Sequence, residues 1–217
     1  GCSALTSAIL PDSDTYIGYR AFYGCTFLAS VTIPDSYTHI GNAAFSDCHS
    51  LTSVIIGNSV TSIGESAFCN CHSLASATIP DSVTRIGNAA FSHCHSLTCV
   101  IIGNSVTSIG ESAFCDCTSL AAVTIPASVS SICDNAFSDC IALTNIILAR
   151  SEHIQPGRVA GEHRIGGGSD LARVRLGCGE FLIHLALRVE HSAIIAAFFM
   201  KIQRKTGKGA GKKARWI

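Results

Sequence analysis

Residues 51–73 read LTSVIIGNSVTSIGESAFCNCHS and residues 74–96 read LASATIPDSVTRIGNAAFSHCHS. Leucine, the Val-Thr and Ile-Gly pairs, the Ala-Phe pair and the His-Ser ending each return after 23 positions. Outward from this stretch the interval holds on both sides. Cysteine recurs every 23 residues from Cys2 to Cys140, phenylalanine from Phe22 to Phe137, leucine from Leu28 to Leu143 and isoleucine from Ile17 to Ile132. A longer period lies over the first: residues 41–86 and 87–132 differ at only nine positions, and Pro34, Pro80 and Pro126 alternate with Gly57 and Gly103. The array therefore grew by duplicating pairs of units.

A 23-residue unit is too short for helix-pair repeats of about 33–47 residues and falls within the leucine-rich-repeat range of about 20–29. In 51–73, Leu51, Val54 and Ile56 predict one short strand per turn, ended by Gly57, or by Pro80 one unit later. Asn58-Ser59 then turns the chain, Val60 and Ile63 point back inward, and Gly64 makes the next corner. Ala67, Phe68 and Cys71, at i, i+1 and i+4, predict a short helical turn facing the strand. One such coil cannot bury enough apolar surface to offset the entropy of ordering its backbone, so coils must stack and share their interior.

The pattern I-G-x-x-A-F-x-x-C-x-S-L-x-x-V-x-I-P-x-S-V-T resembles the BspA-type leucine-rich repeat family, over about residues 1–148. The resemblance implies a leucine-rich repeat solenoid of about six 23-residue coils, each a short parallel β-strand plus a short helical turn, with the solenoid occupying 1–150. It also implies a protein of the cell surface or a secreted one, adhering to a host or matrix protein. Cys133 stands where the other units have the corner glycine. Met200 is the only methionine and no basic-then-apolar leader opens the chain, which reads as a processed product or a fragment.

With 47% hydrophobic and 14% charged residues the chain is not a disordered polymer. Its zero net charge hides two unlike parts: residues 1–148 carry two basic and ten acidic side chains, a balance of −8, and 149–217 carry thirteen and five, a balance of +8. Serine and threonine sit at repeat-fixed turn and strand positions with no nucleophile–base arrangement, so no catalytic residue, no enzyme activity and no cofactor are expected. Gly207 to Lys213 lacks the glycine and hydroxyl positions of a phosphate loop.

The cysteine column reads as a buried structural ladder of free thiols. Cys69, Cys71 and His72, with Cys115 and Cys117 two coils on, carry zinc-type donors. However, Cys69 and Cys71 face different sides, and two coil spacings separate the groups by about 10 Å, so no metal site is expected. His49, His72 and His95 fall in register as a polar outer row. What remains is the outward face of the strands, where Thr52, Ser53, Ile55, Ser76, Thr78, Thr98, Ile101 and Thr124 form a flat, neutral surface suited to an extended protein ligand. Nucleic acid is not an expected partner.

After Leu148 the repeat stops, and the basic tail 151–217 resembles no family. A Gly- and Arg-rich linker is expected over 151–179, followed by an amphipathic helix over 180–205 with a polar stripe of Glu180, His184, Arg188 and His191. Arg188 and Glu190 near its middle disfavour a membrane span, so the helix is expected to lie on a membrane surface or to cover the open end of the solenoid. Residues 201–217 add seven positive charges and no acid. The second reading of the whole chain is accordingly a structural spacer with a membrane-associating tail. A change of reading frame after Leu148 would also produce such a tail, and the encoding DNA would then resume the repeat in another frame.

Overall fold

The computed structural model describes residues 2–149, 171–176 and 179–184. Residues 2–149 wind into a parallel β-solenoid of about six turns, in which each residue's neighbour across the sheets is the one 23 positions away. Four-residue strands make one sheet: Ser30–Ile33, Ser53–Ile56, Ser76–Ile79, Cys99–Ile102, Ala122–Ile125 and Asn145–Leu148. Two-residue strands from Tyr16–Ile17 to Ser131–Ile132 make a second, six-stranded sheet. Each turn thus contributes two strands where the periodicity predicts one. The second escapes a sequence reading because two residues are too few to show alternation; it forms because Thr61 N–H donates to Thr38 O at 2.8 Å and Gly64 N–H to Ile40 O at 2.8 Å, so inter-coil bonding continues past the turn.

The first sheet is paired unevenly. Ser30–Ile33 with Ser53–Ile56, and Ser76–Ile79 with Cys99–Ile102, match at all four positions, whereas Ser53–Ile56 meets the following strand at Ser53↔Ser76 and Cys99–Ile102 meets its successor at two positions. Proline explains the seams. Ala149 N–H donates to Ile125 O at 2.8 Å, but Pro80 and Pro126 have no such proton for Ile56 and Ile102, and the ladder opens from that end. The seams therefore recur every 46 residues, the period of the duplication.

The short helical turn expected around Ala67, Phe68 and Cys71 is replaced by linked tight turns, and no helix occurs among the described residues. Ala67, Cys69 and Cys71 donate to the carbonyl three residues back, at 3.3, 3.1 and 3.4 Å, while Ser66, Phe68 and Asn70 donate to Asn88, Ala90 and Ser92 of the next coil, at 2.8, 2.7 and 2.9 Å. An α-helix would turn every donor inward to its own coil and leave none for the neighbour. Ser66 and Asn70 accordingly adopt left-handed backbone, with φ of 53° and 59°, which no right-handed helix tolerates. The corner glycines answer a different need from the one sequence suggests. A Cβ on Gly64 would lie 2.7 Å from the Gly41 carbonyl carbon, and one on Gly87 2.6 Å from that of Gly64, so close approach of successive corners leaves no room for a side chain at these two positions, whereas the last coil carries Cys133 at the same place.

Inside, Phe45, Phe68, Phe91 and Phe114 are fully buried. From Phe22 to Phe137 adjacent rings stack with centroids 5.1–5.3 Å apart, a favourable offset separation. The buried thiols of Cys48, Cys71, Cys94, Cys117 and Cys140 each donate to the phenylalanine carbonyl 26 residues earlier, at 3.0–3.3 Å. Burial pushes the Cys48 thiol up to about 12 and raises Cys71 and Cys94 as well.

Beyond the repeats, Leu171–Leu176 and Gly179–His184 form an antiparallel pair, and the second runs parallel to Asn145–Leu148 with Asn145↔Leu182 and Ile146↔Ile183 in register. This corrects two expectations: 171–176 lies in the predicted linker 151–179, and 180–184 opens the predicted amphipathic helix 180–205, yet both are strands. The last coil presents an edge of unpaired N–H and C=O groups, and satisfying that edge outweighs the local helical spacing. The remainder of the linker and helix, and residues 201–217, lie outside the described residues.

Two outcomes follow from this interior. Phe91→Ala should cost about 3–5 kcal/mol in chemical denaturation, whereas Ile101→Ala on the outer face should stay within about 0.5 kcal/mol; equal effects would contradict the stacked core. Under native conditions an alkylating reagent should modify the exposed Cys2 and Cys99 and spare Cys48, Cys71, Cys94 and Cys117. Because the unfolded chain ionises its thiols near the ordinary value of 9.0 while Cys48 resists to about 12, stability should be intact below pH 9 and decline as pH rises between these values. Thermal midpoints independent of pH across that window would refute it.

Candidate functional site

Two surfaces carry chemistry. On the four-residue strands the pleat turns Val54 and Ile56 inward and Ser53 and Ile55 outward. All eight residues picked from the sequence, Thr52, Ser53, Ile55, Ser76, Thr78, Thr98, Ile101 and Thr124, are exposed on this face. Strict stacking orders them into rows. Thr32, Ile55, Thr78, Ile101, Thr124 and Ile147 share one row, so isoleucine emerges on every second coil, with 62%, 58% and 43% exposure at Ile55, Ile101 and Ile147. Two coils span about 9.6 Å. Thr52 and Thr98 donate their hydroxyls to Ala29 O and Ala75 O of the preceding coil, at 3.0 and 3.1 Å, which fixes their rotamers. No charged residue occurs within these strands, and outside the two seams their backbone groups pair with neighbouring coils, so there a ligand meets side chains rather than a free ladder.

The second surface lies over the tight turns. His49, His72 and His95 stack with ring centroids 4.7 and 4.9 Å apart and planes within 1° and 9°. Burial, reinforced by His49, His95 and His93, lowers the His72 pKa below the ordinary histidine value. Beside this row runs another of left-handed residues, Gly24, Asp47, Asn70, His93, Asp116 and Asp139, with φ between 58° and 67°. These are the residue types that accept that backbone with least strain. Asn70 Nδ2 donates to Asp47 Oδ1 at 2.6 Å. One coil pair later, His93 Nδ1 and His95 Nε2 both lie on Asp116 Oδ2, at 2.9 and 3.0 Å. The hydrogen bond to His93, then that to His95, holds the Asp116 carboxyl below its ordinary value despite partial burial.

Sequence reasoning found the stacked histidines but not the convergence on Asp116. The available signal was positional: His93 and Asp116 occupy the same place in successive coils and are two of the nine positions at which the duplicated pairs differ. The cysteine set weighed from sequence does not assemble. Cys71 and Cys117 are buried with their thiols committed to Phe45 O and Phe91 O, away from the partly exposed Cys69 and Cys115. No helix among the described residues is long and apolar enough to cross a membrane.

The chain matches the BspA type leucine-rich repeat region in six copies, over residues 1–120 and 84–157. Among solved structures it is similar to a leucine-rich repeat protein of T. pallidum at 34% identity and a TM-score of 0.63, over 66% of this chain and 72% of that one. A leucine-rich cell surface protein of Faecalibacterium prausnitzii aligns at 36% identity with a TM-score of 0.49, over 63% of this chain and 43% of its own. The pneumococcal vaccine antigen PcpA shares the fold at 24% identity with a TM-score of 0.52, over 62% and 36%. The chain thus spans less than half the length of the last two. No curated protein matches it.

Proposed function

The chain belongs to the BspA-type leucine-rich repeat family, and from that membership we propose that it is a non-enzymatic protein-interaction module that binds an extended segment of a host or matrix protein along its strand face, at the cell surface or after secretion. The observation that carries this reading is the row of Ile55, Ile101 and Ile147 projecting from an uncharged, hydroxyl-bearing surface. Apolar knobs at fixed spacing on a flat sheet bury little of a small molecule but engage side chains repeated along a chain. The surface and adhesion assignments rest on family membership.

The spacing also favours one ligand conformation. A β-strand returns a side chain to the same face every two residues, about 6.7 Å, out of step with the isoleucines. A polyproline II helix returns one every three residues, about 9.3 Å, close to the two-coil interval of about 9.6 Å. The proposed ligand is therefore a polyproline II segment with an apolar residue at every third position. Its extended conformation is largely formed before binding, which reduces the entropy lost on docking.

Fluorescence anisotropy with a labelled peptide of repeated Leu-Pro-Pro triplets tests this directly. The native chain should bind it in preference to a peptide of the same composition with leucine out of the three-residue register. Ile55→Lys/Ile101→Lys should weaken binding at least tenfold, about 1.4 kcal/mol, with an unchanged circular dichroism spectrum. Equal binding of both peptides, or binding indifferent to the double substitution, would refute the assignment.

A further inference from the structure

The geometry points to a binding site for one divalent transition-metal ion of the zinc and cobalt class, formed by His93, His95 and Asp116, as we infer from the convergence of their donor atoms. Nδ1 of His93, Nε2 of His95 and a carboxylate oxygen of Asp116 lie within 4.8 Å of one another. In a tetrahedral site around an ion at about 2.1 Å the donors lie about 3.4 Å apart, so the two nitrogen-to-oxygen contacts, 2.9 and 3.0 Å as hydrogen bonds, need only lengthen slightly to admit one. Imidazole with carboxylate suits this metal class, and two histidines with one carboxylate on one side leave the opposite positions open. The three side chains are each 31–47% exposed, so the ion has access from solvent.

The scaffold holds these donors in place. His93 and Asp116 occupy consecutive left-handed positions, and their backbone N–H groups bond to Cys115 O and Ser138 O at 2.7 and 2.8 Å. The His95 ring is stacked on His72. Ion binding requires the two nitrogens to draw closer, and His93, with its side chain 47% exposed, is the ring with more freedom to turn.

The chain supplies its own comparison. At the equivalent place in the preceding coil pair stand Asp47, His49 and Asn70, where the Asn70 amide donates to Asp47 and the His49 nitrogen is 3.9 Å from the carboxylate. An amide nitrogen is no ligand, so that trio is a closed hydrogen-bonded pair with one loose histidine. Exchange of Asp47 for His93 and of Asn70 for Asp116 turns the same backbone frame into three convergent ligands. The field of the repeats favours a cation as well, since residues 1–148 carry a balance of −8.

Cobalt titration of the metal-depleted full chain tests the site, because cobalt reports its ligands. The expected result is one equivalent bound with visible d–d bands and no thiolate-to-cobalt charge-transfer band. His93→Asp/Asp116→Asn rebuilds the trio that already folds at 47, 49 and 70, and should weaken that binding at least about 100-fold, since loss of a mere outer-shell partner already costs 10–100-fold. Absence of uptake by the native chain, a thiolate charge-transfer band, or unchanged affinity in the double variant would each overturn the assignment.

Discussion

Backbone hydrogen bonding between one coil and the next is the constraint from which the rest of this structure derives. On the turn side the donors alternate, one to the carbonyl three residues back and one to the neighbouring coil. On the two sheets they cross to the coil 23 residues away. A single residue inserted in one coil would put every later side chain out of register with its stack and turn the strand's apolar positions outward. The fixed period is thus a packing requirement rather than a trace of duplication alone: Phe stacks on Phe and thiol follows thiol because the ladder leaves them no other neighbour.

The same constraint shapes the surface. A position in the repeat becomes a row on the molecule, and a change at one position in one coil becomes a local feature in an otherwise uniform strip. Isoleucine and threonine alternating at one outward position yield apolar knobs two coils apart. Aspartate, asparagine and histidine alternating at a left-handed position yield a closed hydrogen bond in one place and three convergent ligands in another. Proline alternating with glycine opens the ladder between coil pairs. Distinctive chemistry therefore sits where the repeat departs from itself, because the invariant positions are spent on the core.

Much of this was legible in advance. The columns Phe22 to Phe137 and Leu28 to Leu143, the inward Val54 and Ile56, the buried thiols and the outward Thr52, Ser53 and Ile55 all follow from spacing, because each burial pattern repeats six times and noise at single positions averages out. Ala67, Phe68 and Cys71 misled because burial at i, i+1 and i+4 suits a helix and a pair of linked tight turns equally well. Only the destination of the alternate N–H groups separates the two. Residues 180–184 misled for a related reason: the polar stripe at helical spacing is local, whereas the edge they pair with belongs to Asn145–Leu148.

What the amino-acid order alone determined is the period, the identity of the core columns and the split between an acidic array and a basic tail, since these depend on which residues recur and how often. What only the folded chain decided is the set of partners between coils: the second sheet, the left-handed turns, the proline seams and the meeting of His93 and His95 with Asp116. Sequence separation conceals these contacts, because residues more than 20 positions apart become neighbours only when the backbone of one coil satisfies the next.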